Sequence, residues 1–144
     1  MITDKLLRVS TDQAVTTTAV STDTVDLSIA RDMGEGEDLF MNFAMTEAFA
    51  GGTSTNFEII IADNAALSSN VVVIGASGAI LTASLTLGTN VAVRLNPQIA
   101  SLGKRYLGAR YTVSGTNSAG KVTADMVMDV QDGKKFYASG FTVV

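Results

Sequence analysis

With the single exception of Val127, apolar and polar residues alternate through one stretch of nine residues near the end of the chain. The apolar positions are Val122, Ala124, Met126, Met128 and Val130, and Thr123, Asp125 and Asp129 lie between them. Successive side chains of a β-strand point to opposite faces of the sheet, so a period of two indicates a half-buried strand. The pattern therefore predicts a strand with one core face and one hydrated face, and it places both carboxylates on the hydrated face.

Further short segments show strand patterns between turns rich in Gly, Asn and Asp. They are one or two strands within residues 13–28 and single strands at residues 39–45, 56–62, 71–74, 79–85, 91–95 and 105–113. In the last of these, Gly108 indicates a bulge or a close backbone approach. With 13 Gly and one Pro, the chain has the balance typical of strands joined by tight turns. The sequence predicts an all-β, antiparallel β-sandwich, and eight or nine strands favour a jelly roll over a seven-stranded immunoglobulin-like sandwich.

The chain of 144 residues has the length of one domain. Its 47% hydrophobic and 17% charged residues differ from the composition of disordered proteins. We expect residues 1–12 to form an N-terminal arm and residues 13–144 to form a single jelly-roll domain. The start lacks the layout of a signal peptide, and no apolar run is long enough to span a bilayer. We therefore expect synthesis in a cytoplasm and no membrane partner.

The missing residue types exclude much chemistry. The chain has no His, no Cys and no Trp, so it lacks the commonest general base, the thiolate nucleophile and the usual zinc ligands. The net charge of −4 argues against a nucleic-acid partner, because phosphate contacts need a basic surface. We expect a protein that is not an enzyme and has no cofactor.

Two groups of carboxylates are candidates for a metal site or a catalytic site. The acidic turn at Asp32, Glu35, Glu37 and Asp38 could bind calcium, but its spacing is not that of an EF-hand, and a solvated turn is favoured. Asp125 and Asp129 could suggest a glycosidase pair, but their spacing only places them on the same face of a strand. The sequence predicts no catalytic residues and no metal ligands.

Three groups of residues are candidates for contact with a protein partner. The basic cluster of Lys104, Arg105 and Arg110 lies beside two tyrosines, and Arg and Tyr are enriched at protein interfaces. Its alternative is an ordinary strand with Arg outward and Tyr inward. The arm and the apolar C-terminus are the other groups, and the C-terminus could equally be buried in its own sheet. The full set of candidates is Ile2, Lys5, Leu6, Arg8, Lys104, Arg105, Arg110, Phe141, Val143 and Val144.

Three segments carry a resemblance to a known family. Residues 1–10 (MITDKLLRVS), 34–39 (GEGEDL) and 95–108 (LNPQIASLGKRYLG) resemble the capsid cement proteins typified by a short-tailed Bordetella phage, and the similarity extends over nearly the whole chain. The resemblance implies a jelly roll that binds the outside of a tailed-phage head and stabilises contacts between major capsid protein subunits. It also implies a homodimer across local two-fold axes, located on the outer surface of the virion.

Two other functions stay open at this stage. The first is a carbohydrate- or receptor-binding β-sandwich module of a phage head or tail fibre, because jelly rolls often serve as lectins. The absence of Trp weighs against it, since sugar platforms use exposed aromatic side chains. The second is a β-sandwich enzyme that uses carboxylates alone.

Overall fold

The computed structural model describes residues 3–30, 32, 37–96 and 102–130. These residues form nine β-strands and two single turns of 3-10 helix, at Lys5–Leu7 and Thr82–Ser84. The strands are β1 (Arg8–Ala14), β2 (Ala19–Val20), β3 (Val25–Asp26), β4 (Phe40–Ala50), β5 (Ser54–Ala62), β6 (Val72–Leu81), β7 (Asn90–Arg94), β8 (Tyr106–Ser114) and β9 (Ala119–Val127). Within this part of the chain no helix is long and apolar enough to cross a membrane.

The strands form two antiparallel sheets whose pairings are nested. The first sheet has the order β1-β9-β4-β7, and the second has the order β2-β8-β5-β6, with β3 also paired to β8. The first strand therefore pairs with the last, β2 and β3 pair with β8, β4 pairs with β7, and β5 pairs with β6. This nesting is that of one long antiparallel ribbon folded over to give two sheets, which is a jelly roll. The predicted fold class is confirmed.

Short connections carry the chain between the sheets. Three residues, 51–53, separate β4 in the first sheet from β5 in the second, and residues 115–118 separate β8 from β9. Gly51 has φ +94, a conformation that side chains other than glycine rarely adopt, and it allows this abrupt crossing. The strands predicted at residues 39–45 and 56–62 therefore do not pair with each other, because they lie in different sheets.

The inward-facing side chains of the four central strands, β4, β5, β8 and β9, fill the space between the two sheets. Met41, Phe43 and Met45 of β4 are fully buried there. Phe57 of β5 lies at the centre of an aromatic cluster, with ring centroids 5.2 Å from Phe43, 6.2 Å from Phe49 and 6.0 Å from Tyr111. These edge and tilted contacts add to the free energy gained by burying the rings.

Tyr111 is the largest fully buried side chain of the described core. Its hydroxyl lies 2.7 Å from the Ser10 hydroxyl of β1, and this contact crosses from one sheet to the other. Burial raises the pKa of Tyr111 above its ordinary value, since the phenolate would lose its hydration, and the contact with Ser10 only partly offsets this. The inward Tyr of the basic segment thus belongs to the core.

The second sheet also buries apolar residues on its outer face. Ile60 and Ala62 of β5 pack there under Leu67, which comes from the loop between β5 and β6. Gly108 lies beneath this loop in regular register with Ile60, and a Cβ at this position would meet the Leu67 side chain and the Ser21 hydroxyl. Of the two predictions for Gly108, the close backbone approach is confirmed, and there is no bulge at this position.

Several predicted boundaries differ from the structure. The strands predicted at residues 71–74 and 79–85 are one strand, β6, because the intervening residues 75–78 continue the ladder with β5 through two register shifts. Strand β9 ends at Val127, so Met128 is 67% exposed instead of buried in the core. The predicted arm is shorter than residues 1–12, because β1 begins at Arg8 and buries Val9 and Ser10.

We expect the substitution Phe57→Ala to lower the free energy of unfolding by about 3–5 kcal/mol, because it removes a buried ring from a cluster that cannot collapse around the gap. Phe57→Leu is the matched control, and it should cost clearly less because it keeps most of the buried volume. Urea unfolding followed by circular dichroism measures both. Equal losses for the two variants would contradict the assignment of Phe57 to a tightly packed centre.

Candidate interaction surface

One end of the sandwich collects most of the described candidate residues. Strands β1, β4, β6 and β8 begin at this end, and β3, β5, β7 and β9 finish there. The hydrogen bond from Leu95 N to Leu39 O extends the ladder of β7 and β4 in the first sheet, and that from Asn96 N to Ile74 O joins the end of β7 to β6 in the second sheet. We call this the arm end. Lys5, Leu6, Arg8, Lys104 and Arg105 all lie there.

The N-terminal 3-10 turn is anchored at both of its sides. The Asp4 carboxylate accepts a hydrogen bond from Leu6 N at 2.9 Å and caps the turn, and Leu7 packs against the core. Lys5 and Leu6 stay exposed, and the Leu6 side chain has 84% of its surface in solvent. The turn lies against β9, close to where exposed Met128 follows the strand. The turn therefore presents apolar surface on a fixed base.

Arg8 holds a buried carboxylate on the outer face of the first sheet. Its Nε donates to Asp125 Oδ1 at 2.6 Å, and Asp125 is 4% exposed. The prediction of a hydrated Asp125 is therefore wrong. Asn42 of β4 is directly opposite Asp125 and is also fully buried. Arg8 consequently supports the fold where the chain enters β1, because a carboxylate at this depth needs a cationic partner.

Lys104 and Arg105 are each paired with an acidic residue. Lys104 Nζ lies 2.8 Å from Asp63 Oδ1, and Arg105 binds Asp26 with two hydrogen bonds of 2.6 Å. The hydrogen bond from Arg105 lowers the pKa of Asp26 to about 2, and that from Lys104 lowers the pKa of Asp63. The Arg105 guanidinium also lies 5.1 Å from the centre of the Tyr106 ring, within range of a cation–π contact.

Arg110 lies away from the arm end, in the middle of the second sheet. Its Nε donates to Glu58 Oε2 at 2.5 Å, and the Thr112 hydroxyl donates to the same oxygen at 3.0 Å. Asn56 donates to the other carboxylate oxygen of Glu58 at 3.0 Å. This network satisfies a carboxylate that is 8% exposed within an apolar strand. The basic cluster predicted from the sequence is thus split between two places on the molecule.

Four of the five cationic candidates therefore already have partners within the chain. Arg8, Lys104, Arg105 and Arg110 are bound by Asp125, Asp63, Asp26 and Glu58. Sequence reasoning missed Asp26, Glu58 and Asp63 and placed Asp125 on a hydrated face. Among the missed residues only Glu58 gave a signal, as the single charge in a β-branched run. The side chains at the arm end with exposed apolar surface are Leu6, Ile29, Leu102 and Met128. Ile2, Phe141, Val143 and Val144 lie outside the described residues, and their interface role stays a prediction.

Other kinds of site receive no support from the described residues. No group of three or more acidic residues in this part of the chain could hold a metal ion, and in the acidic turn Asp38 is paired with Arg94. Each of the six described aromatic residues is buried or half-buried, so none offers the open platform that sugar binding uses.

The nested strand order and the exposed arm end define a jelly-roll protein with a candidate protein-binding end. A sequence model of one family, Bbp16, matches residues 9–126, which is most of the chain and nearly all of the described jelly roll. The chain belongs to the Bbp16 family. The family is named like a Bordetella phage protein, and membership is consistent with a phage protein. The comparison with curated proteins gave no match.

We expect Arg8→Ala to lower the free energy of unfolding by about 1–3 kcal/mol, because it leaves the Asp125 carboxylate buried without its cation. Arg94→Ala is the matched control, since its pair with Asp38 is exposed on both sides and should cost less than about 1 kcal/mol. Urea unfolding of the two variants measures the difference. Equal effects would show that Arg8 contributes no more than a surface ion pair.

Proposed function

We propose that this protein is a structural capsid cement protein of a tailed phage. It binds the outside of the head and stabilises contacts between major capsid protein subunits. The observation that carries the proposal is the Bbp16 family match over residues 9–126, together with the resemblance of three segments to phage cement proteins. The protein acts by binding and not by turnover, and no residue is assigned a catalytic role.

The described fold suits such a role. A sandwich with a packed aromatic core and short crossings at one end offers a rigid body, and rigid bodies lose less conformational entropy on binding. A shell under outward pressure from packaged DNA is stabilised by any body that binds two subunits across a seam at once. Several modest contacts of this kind add up through their high effective concentration.

The arm end is the surface that we assign to the coat protein. It carries the exposed apolar side chains of Leu6, on the anchored N-terminal turn, and of Met128, which follows β9. It also carries Arg105, whose ion pair with Asp26 is about half exposed and so remains accessible to a partner. Apolar contacts next to Arg and Tyr are the composition of protein interface centres. A second copy of the chain is the other proposed partner, as a homodimer.

The proposal is tested by counting copies of this chain per copy of the major capsid protein in purified virions, by quantitative mass spectrometry. We expect a ratio near one, because a cement protein covers the whole shell. A few tens of copies per particle would instead assign the protein to the vertices or the tail. Absence from the particles would overturn the proposal.

The assignment of the arm end is tested with Leu6→Asp. Heads that lack this protein are incubated with purified wild type or variant, and bound protein is measured after sedimentation of the particles. We expect Leu6→Asp to weaken attachment by roughly tenfold or more, because it places a charge where apolar surface would be buried. Leu87→Asp is the matched control: Leu87 is 67% exposed, but it lies in the connection between β6 and β7, at the opposite end. It should bind like wild type. Equal losses for both variants, with both still folded, would remove the arm end from the interface.

A further inference from the structure

Strand β6 differs from the other edges of the two sheets. Edge strands expose unpaired backbone groups, and proteins usually protect them with charge, proline or shortness. Strand β1 carries Arg8 and Asp12, β7 has five residues and ends in Arg94, and β2 and β3 have two residues each. Strand β6 has ten residues, Val72–Leu81, and among them there is no charge and no proline. Among the described strands it is the last of the second sheet.

The outer face of β6 is apolar and open. Val73, Ala76, Ala79 and Leu81 are exposed, and their β5 partners lie on the outer face of the second sheet. Among the described strands, β5 is the one that pairs with β6. Near the start of β6, the backbone N–H of residue 96 donates to Ile74 O, and Arg94 O lies against Gly75. Two register shifts with β5 increase the local twist but put no charge on the edge.

The sequence of β6 is compatible with antiparallel pairing to itself. With a two-fold axis at Ala76, Val72 of one copy is opposite Ile80 of the other, and Val73 is opposite Ala79. In both pairs the two residues share a face of the sheet: the β5 partners of Val72 and Ile80 belong to the inner face, and those of Val73 and Ala79 to the outer face. Both of these cross-strand pairs are apolar on apolar, Gly75 is opposite Ser77 in the same register, and no like charges meet.

We propose that β6 is the self-association surface of this protein. Two copies pair their β6 strands antiparallel about Ala76, so that their second sheets become one continuous sheet. The inference rests on the proposed function in one respect: it names the surface through which the proposed homodimer forms. Such strand addition gains its affinity from backbone hydrogen bonds and its register from the side-chain pairs, and a two-fold contact of this kind closes after two copies.

The charge distribution favours a second copy as the occupant. The chain carries a net charge of −4, so copies repel each other through most of their surfaces. Beside β6 the nearest carboxylate, Glu58, is neutralised by Arg110, and β6 itself is uncharged. This edge is therefore a place where two copies can approach without an electrostatic penalty.

The test is sedimentation equilibrium of the free protein over a range of concentrations, with no phage particles present. We expect wild type to form a dimer of its 15.0 kDa chain. The variants Ala79→Lys and Val73→Glu should each dimerise roughly tenfold more weakly or worse, because each puts a charge against an apolar partner. Ala92→Lys is the matched control, since Ala92 is an exposed alanine on the edge strand β7 of the other sheet, and it should dimerise like wild type. Circular dichroism and thermal unfolding show whether every variant is folded.

Mixing the two β6 variants tests the register. In a mixed dimer the new lysine of one copy is opposite the new glutamate of the other, and the second contact keeps its native Val73 and Ala79. We expect the mixture to dimerise more tightly than either variant alone. A wild type that stays monomeric at all concentrations, an equal loss for Ala92→Lys, or a mixture without recovery would each overturn the proposal. Particle binding is measured separately, so failure here is distinct from failure of the cement function.

Discussion

The ladder between β4 and β9 in the first sheet, with its counterpart between β5 and β8 in the second, is the constraint on which the rest of the molecule depends. These four strands supply the inward residues Met41, Phe43, Phe57 and Tyr111, whose contacts join the two sheets. The strands outside this centre are shorter or irregular, and they are positioned by pairing with it. The Ser10 hydroxyl, for example, reaches Tyr111 from the edge strand β1. Removing packing at this centre should therefore affect both sheets together.

Local periodicity was enough to predict the central strands and the fold class. Alternation of Met41, Phe43 and Met45 indicates a face, and a face of this kind needs a second sheet to cover it. The same reasoning failed where the deciding partner is far away in sequence. Asp125 has the position of a hydrated residue in its own strand, but Arg8, 117 residues away, allows it to be buried. Likewise, the small residues of β6 resemble a turn until β5 is seen to pair across them.

The candidate interaction surface shows the same difference between what local sequence predicts and what distant partners decide. The sequence identified Lys104, Arg105 and Arg110 as one basic cluster, since they are close along the chain, but strand direction separates Arg110 from the other two. It could not reveal that each cation is already bound to a carboxylate, because those carboxylates come from other strands and loops. The net positive charge that these three residues offer to a partner is therefore smaller than the composition of the segment indicates. Exposed apolar side chains such as Leu6 become the stronger candidates for binding energy.

The two proposed surfaces have a geometric relation that follows from strand direction. Strand β6 begins at the arm end and runs toward the opposite end of the sandwich. Antiparallel pairing of two β6 strands therefore places the arm ends of the two copies at opposite ends of the joined sheet, with the two strand starts separated by the roughly 26 Å that eight strand residues span. A dimer of this kind presents two identical coat-binding ends that face apart. Under the cement proposal each end binds a different coat subunit, and the second contact forms at high effective concentration once the first has formed. The joined sheet then carries the load across the seam through backbone hydrogen bonds, which explains why an uncharged and unprotected edge would be kept on an otherwise acidic protein.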